Sequence, residues 1–273
     1  MPELPEVETI VRELKPHIIG KKFWNVDAGL ANVFLPSFQL MKQKLPGLRV
    51  LNVFRRGKFI VFELENSWKL VIHLRMTGRL MWKKKVGRNI SGRFLPLPMR
   101  GHLFFRMPEN LARVWLATGK DYEQMTGISR LGLEPLSPHF KPEVLNKLFI
   151  RKRGILKNTL LRQDLIARIG NIYADEICYR IGVHPSSRLE KLSKDDVKKL
   201  YEAIRHCLEQ GIEHCGASVS DFVGTRGTLG KHQKYLQVYG RKGDPCYSCQ
   251  EIITKTKVAG RGTFVCKQCQ VVL

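Results

Sequence analysis

The stretch CYSCQEIITKTKVAGRGTFVCKQC, residues 246–269, carries two Cys-x-x-Cys pairs, Cys246 with Cys249 and Cys266 with Cys269, and sixteen residues separate the pairs. Four thiolates at this spacing form the donor set of a tetrahedral zinc site closing two knuckles of a small β-hairpin. With all four positions filled by protein, the ion has no open coordination site. The expectation is therefore one structural Zn2+ that folds the hairpin and takes no part in chemistry. The run VAGRGTF puts Arg261 at the hairpin tip. Cys178, Cys207 and Cys215 have no such spacing and read as packing residues.

Upstream of the finger, a Gly- and Lys-containing stretch from Gly224 to Lys234 follows a helical region from Pro142 to about Gly216. That region is broken at Gly170, Gly182 and Gly211, and Ser193 with Asp196 marks a helix start. Still further back, from Lys21 to about Trp115, short apolar runs such as FIVFEL (59–64) and KLVIHL (69–74) have strand character, with turn-like breaks at 55–57 and 65–67. An amphipathic helix precedes them, with Val7, Ile10, Val11 and Leu14 on one face. This order predicts an α+β protein.

Composition narrows the partner. The chain has 273 residues, 43% of them hydrophobic, enough for about two domains of roughly 150 residues each. Disorder and a miniature disulfide scaffold are thereby excluded. Its 47 basic against 24 acidic residues leave a net charge of +23, an excess suited to a polyanion, with nucleic acid in first place. No run approaches the ~18 consecutive apolar residues of a spanning helix, and MPELPEVETIVREL lacks the order of a signal peptide. A cytoplasmic, nucleoid-associated protein is expected, and seven cysteines in a reducing compartment favour metal over disulfide.

Pro2 follows the initiator Met, and a small second residue lets that Met be removed, which leaves a free secondary amine. A terminal amine titrates at about 8, so a useful fraction is neutral and nucleophilic near neutral pH. Glu3 and Glu6 set carboxylates beside it for acid/base work, and Lys58 in RRGKF offers a second ammonium on a strand.

Together PELPEVET, RRGKF, HLRMTG, GNIYADE and VAGRGTFVCKQC resemble the formamidopyrimidine-DNA glycosylase family over nearly the whole chain. The resemblance implies a β-sandwich with flanking helices over 1–130 and a helix–two-turn–helix domain over 131–223. A lesion loop and four-cysteine finger follow over 224–273. It implies a monomer that binds damaged double-stranded DNA, excises oxidised purines such as 8-oxoguanine and formamidopyrimidines, and cuts the backbone by β- and δ-elimination. Pro2 then resembles the nucleophile that forms a Schiff base with the sugar, Glu3 the proton donor, Lys58 the donor in elimination and a phosphate contact, and Arg261 the donor in the second elimination. Glu6 and Glu176 resemble supporting carboxylates of the pocket. Asn171 resembles the amide that grips phosphate beside the lesion, Lys152 and Lys157 resemble DNA-contacting lysines, and Met76 the wedge that fills the void of a flipped-out nucleotide.

One family feature is missing. An Arg-Lys-Phe-Gly motif, which supplies two further wedge residues, does not occur. In one register Arg113-Val114-Trp115 replaces it, with Arg113 on the orphaned cytosine and Trp115 stacking. In the other, its place is taken by Glu109-Asn110-Leu111-Ala112. FRMPENLA (105–112) can be encoded so that a single inserted nucleotide yields FRDARKFG, so part of the segment from about Met81 to Ala112 is either genuine divergence or translated out of frame. The gene's nucleotide sequence decides between them. Between Asn66 and Pro108 there is no acidic residue, and much of this basic block lies in the departing segment. Ser220 also stands where members commonly carry a basic residue. Two other readings stay open: a non-catalytic duplex-DNA-binding relative, and an RNA-associated zinc-ribbon protein.

Overall fold

Alternation of apolar residues builds the first half of the chain. The computed structural model describes residues 2–24, 31–83, 94–99, 101–106, 112–150, 152–219 and 222–273. Helix α1 (Leu4–Ile18) is followed by β1 (Phe34–Leu35) and α2 (Phe38–Lys44), then by the strands β2 (Val50–Arg56), β3 (Phe59–Leu64) and β4 (Trp68–His73). Strands β5 (Arg79–Lys83), β6 (Phe94–Met99), β7 (Gly101–Arg106) and β8 (Arg113–Thr118) complete the β region, and α3 (Asp121–Thr126) closes it. One sheet has the order β1-β8-β4-β3-β2 and the other β5-β7-β6. Side chains of both meet in a single core, Val53, Ile60, Phe62 and Ile72 from the first and Leu80, Leu103 and Phe105 from the second. Val7, Ile10, Val11 and Leu14 of α1 join it. This is a β-sandwich flanked by helices.

The second half is helical, then turns to a finger. Helices α4 (Pro142–Phe149), α5 (Leu156–Leu160), α6 (Asn171–Arg180) and α7 (Lys194–Glu213) lead to the hairpin β9 (Thr254–Val258) and β10 (Arg261–Val265). The expected start of α7 is present: Asp196 N–H donates to Ser193 Oγ at 3.1 Å and Ser193 N–H donates to Asp196 Oδ2 at 2.9 Å. Ala259 and Gly260, both with positive φ, make the two-residue hairpin turn just before Arg261. The finger is tied to the helices by backbone bonds from His184 N–H to Val271 O and from Val271 N–H to Gly182 O.

The described residues fall into two units, Met1–Ser129 with His214–Lys231, and Arg130–Glu213 with His232–Leu273. Among the described residues no helix is long and apolar enough to cross a membrane. Strands β5 and β7 pair in register and bury Leu80, Leu103 and Phe105, the last two within the stretch 81–112 singled out above. Glu109, Asn110 and Leu111, Lys84, Lys85, Arg88, Arg93 and Arg100, and Ser220 lie outside the described residues.

Candidate functional site

In the first unit the N-terminal residues are held by local and distant partners at once. Glu3 is the N-cap of α1, and its backbone N–H donates to Glu6 Oε2 at 2.8 Å. The other oxygen of Glu6 accepts the backbone N–H of Ala217 at 2.8 Å, 211 residues away. Gly216 makes this approach feasible: its φ is +78°, and an added Cβ would stand 2.9 Å from Glu6 Cγ. Pro2, Glu3 and Glu6 are all buried. Glu6 therefore acts as a carboxylate brace between the start of α1 and the Gly216–Ala217 turn.

Lys58 sits in the two-residue turn Gly57–Lys58 that joins β2 to β3, and not on a strand as the sequence suggested. Gly57 has φ +61°, the conformation such a turn demands, so the break expected at 55–57 falls at Gly57 and Lys58 and the strand starts at Phe59. Arg55 links this turn to α1. Its Nε donates to Glu8 Oε2 at 3.1 Å and its Nη1 to Gly57 O at 3.1 Å. Neither Arg55 nor Glu8 was singled out by the sequence, because the pair joins positions 47 residues apart. A second carboxylate of α1, Glu13, accepts both the N–H and the hydroxyl of Thr225, at 2.6 and 2.7 Å, and so fixes the Gly224–Thr228 loop on the same helix.

Met76 projects from the loop between β4 and β5 and is 55% exposed, which is unusual for a large apolar side chain. The loop is tight. Gly78 N–H donates to Leu74 O at 3.0 Å, and a Cβ on Gly78 would lie 2.4 Å from that same oxygen. Trp115 does not stack outward as one register required. It is 7% exposed and meets Phe59 edge-on at 5.9 Å, because β8 lies between β1 and β4 inside the sheet. Arg113 is half-buried at the first position of β8, opposite His73, and donates to Ala112 O at 2.9 Å.

In the second unit, charge is concentrated on α6 and its partners. Lys157 is fully buried, and its Nζ pairs with Asp175 Oδ1 at 2.6 Å and donates to Thr263 Oγ1 at 2.8 Å and Gly262 O at 3.1 Å. The expectation that Lys157 touches DNA is corrected: its three donors are spent inside the protein, one on Asp175 of α6 and two on the strand that begins with Arg261. Asp175 Oδ2 accepts Phe264 N–H at 2.9 Å, and Asn171 Nδ2 donates to Gly262 O at 3.0 Å. Three side chains thus grip β10 immediately beyond Arg261, which is itself exposed. Burial pushes the Asp175 carboxyl up to about 6, against the opposing pull of the Lys157 ammonium.

Glu176 supports backbone: both of its oxygens are occupied by N–H groups, those of Gln237 at 2.8 Å, Val238 at 3.0 Å and Tyr239 at 2.9 Å, so it holds the 237–239 segment. Burial raises its carboxyl above the usual range, and those three N–H groups pull it back. Lys152 follows α4 half-buried, its N–H donating to Phe149 O at 2.8 Å.

The sulfurs of Cys246, Cys249, Cys266 and Cys269 lie within 4.8 Å of one another. Cys246 and Cys269 stand 3.8 Å apart and Cys249 and Cys266 3.4 Å apart. Zn–S bonds of about 2.3 Å in a tetrahedron demand sulfurs about 3.8 Å apart, so the donor set fits a four-thiolate zinc ion. The Tyr179 hydroxyl, 3.2 Å from Cys246 Sγ, joins α6 to this site.

Three family models match successive parts of the chain. The formamidopyrimidine-DNA glycosylase N-terminal domain matches residues 1–114, the formamidopyrimidine-DNA glycosylase H2TH domain residues 131–223, and a zinc finger found in FPG and IleRS residues 243–271. Curated relatives named formamidopyrimidine-DNA glycosylase include one from Pelotomaculum thermopropionicum, 38% identical over 99% of both chains. Another, from Desulfitobacterium hafniense, is 35% identical over 99% of this chain and 100% of its own. Among solved structures, a complex between Lactococcus lactis Fpg and DNA containing an abasic site superposes with a TM-score of 0.90 at 31% identity, covering 98% of this chain and 99% of that one.

Proposed function

Because the chain belongs to the formamidopyrimidine-DNA glycosylase family, we propose that it excises oxidised purines, 8-oxoguanine and formamidopyrimidines among them, from duplex DNA in base excision repair and then cuts the backbone at the vacated site. The amine of Pro2, free once Met1 is removed, attacks the sugar C1′ and displaces the base, which leaves an iminium link between protein and sugar. Terminal amines in general titrate at about 8, low enough for a part to be neutral and nucleophilic near pH 7. Glu3, next in the chain, moves the proton at the opening sugar. Lys58 contacts phosphate and assists the first elimination, and Arg261 assists the second.

Met76 fills the space that the flipped nucleotide leaves, replacing part of the lost stacking. Asn171 and Lys152 contact the backbone. Zn2+ on Cys246, Cys249, Cys266 and Cys269, when bound, cross-links the two knuckles and stiffens the hairpin that carries Arg261. The protein works as a monomer on DNA in the cytoplasm, at the nucleoid.

What supports this reading is the burial of two charged side chains in a strongly basic chain, Glu3, which follows Pro2 in the sequence, at 3% exposed and Lys58 at 5%. Charged side chains are kept from water at such a place when the fold needs their chemistry or their pairing. Borohydride trapping on duplexes carrying 8-oxoguanine or an abasic site tests it. The expected result is a covalent adduct with the unaltered protein and none with Pro2→Gly. Tight binding with no adduct in the unaltered protein would instead establish a non-catalytic relative.

A further inference from the structure

At the far end of α6 from Asn171, Arg180 lines an open cavity of about 940 Å³ within the second unit. Ten residues of helix put Arg180 about 13 Å along the axis from Asn171, so this is a separate place from the end proposed to meet DNA. The opposite wall is one stripe of α7, since Lys199, His206 and Gln210 recur at helical spacing and all line the cavity.

Among the described residues, the side chains of Arg180, Lys199 and His206 make no hydrogen bond and no ion pair. Three basic groups thus line one space, with Asp196 and Glu209 as the acidic neighbours of Lys199 and His206. Two carboxylates also line it. Glu176 has both oxygens occupied by N–H groups, and Glu202 is exposed one turn from Lys199. Burial, and secondly the neighbouring Arg180, hold the His206 imidazole below its ordinary titration range, against a weaker opposing pull from Glu209.

We propose that this cavity binds a phosphate monoester of nucleotide size, with the phosphate on Arg180, Lys199 and His206 and the nucleoside against Tyr235 and Gln210. Arginine presents a planar fork that matches two phosphate oxygens, and lysine and imidazole add single donors. The size follows from the volume, which lies near the top of the range of about 300–1,000 Å³ for small-molecule sites, far more than a bare anion fills. Tyr235, 51% exposed, offers a ring face on which a base can stack. The phosphate monoester has two sources, a free nucleotide and the phosphorylated end of a DNA strand.

Calorimetric titration of the full-length, zinc-loaded protein tests the site with three probes: inorganic phosphate, 2′-deoxyguanosine 5′-monophosphate and a 5′-phosphorylated trinucleotide. The expected result is saturable binding of the nucleotide, about tenfold tighter than inorganic phosphate and weakened about tenfold by Arg180→Gln or by His206→Gln. Lys199→Gln, a change on an exposed helix face, is the control against misfolding and is expected to weaken it severalfold. Asn171→Ala and Lys58→Gln are expected to leave it unchanged. A trinucleotide that binds more tightly than the nucleotide assigns the site to DNA ends, and equal binding assigns it to free nucleotides. Absence of saturable binding by any probe overturns the proposal, as does binding lost in Lys58→Gln but retained in Arg180→Gln.

Discussion

Two lysines of this protein are buried almost equally, Lys58 at 5% and Lys157 at 0%, yet their surroundings differ in kind. Lys157 lies within α5, and its ammonium is shared among Asp175, Thr263 and Gly262. Lys58 rides on a hairpin turn whose backbone is held by another residue, Arg55, through the Gly57 carbonyl. In the second unit, buried charge is used to hold an exposed arginine in place. In the first, bracing falls to Arg55, Glu6 and Glu13, with Glu3 capping the helix that carries the last two.

Metal removal separates the two units most strongly. Structural zinc contributes about 10–16 kcal/mol of apparent binding free energy in finger peptides. Stripping it with a chelator is expected to unfold β9 and β10 and release the partners of Lys157, while β2, β3 and β4 keep their amide hydrogen-exchange protection. Loss of protection in both units would break the contrast.

Next in size is the pair of lysines themselves. Lys157→Met leaves Asp175 buried without its partner and is expected to cost about 3–5 kcal/mol in urea unfolding, most of it recovered when Asp175→Leu is added. Lys58→Gln is expected to lose less stability but to slow strand cleavage at an abasic site by about a hundredfold or more. Equal stability losses with equal rates would show the two lysines to be alike. Glu6→Ala strands the N–H groups of Glu3 and Ala217 and is expected to cost about 1–3 kcal/mol for each one left unpaired, with adduct formation slowed in parallel.

The smallest effect is in pH dependence. The Asp175 carboxyl, raised to about 6 in the folded protein, binds more protons there than in the unfolded chain. Its contribution is therefore fully present below the unfolded value of about 4 and is lost as pH rises through about 6. Asp175→Asn is expected to remove that slope from urea unfolding measured between those two values. An unchanged slope would put the titrating group elsewhere.

Much of this was legible in the sequence where the determinants are local. FIVFEL reads as a strand and forms β3 at the same residues, Ser193 and Asp196 start α7, and the cysteine spacing gives the zinc site. What was not legible depends on residues far apart in the chain. Nothing near Glu6 announces Ala217, and nothing near Arg55 announces Glu8. The register that stacked Trp115 outward could not be rejected from the sequence, because the burial of four successive residues of β8, on both of its faces, comes from parts of the chain far away. Lys157 was misread because helical spacing shows which residues share a face and not whether a partner such as Asp175 waits there.

The hydrogen bond from Ala217 to Glu6 also bears on how the protein comes off the ribosome. Pro2 is made first, yet the unit that positions it takes in residues 214–231, which emerge only after the intervening helices. Domains fold as they are synthesised, but this one cannot finish in that order. A half-made polypeptide thus has the start of its first helix without the Gly216–Ala217 turn that braces Glu6, and that end of the protein takes its final form only when synthesis is nearly complete.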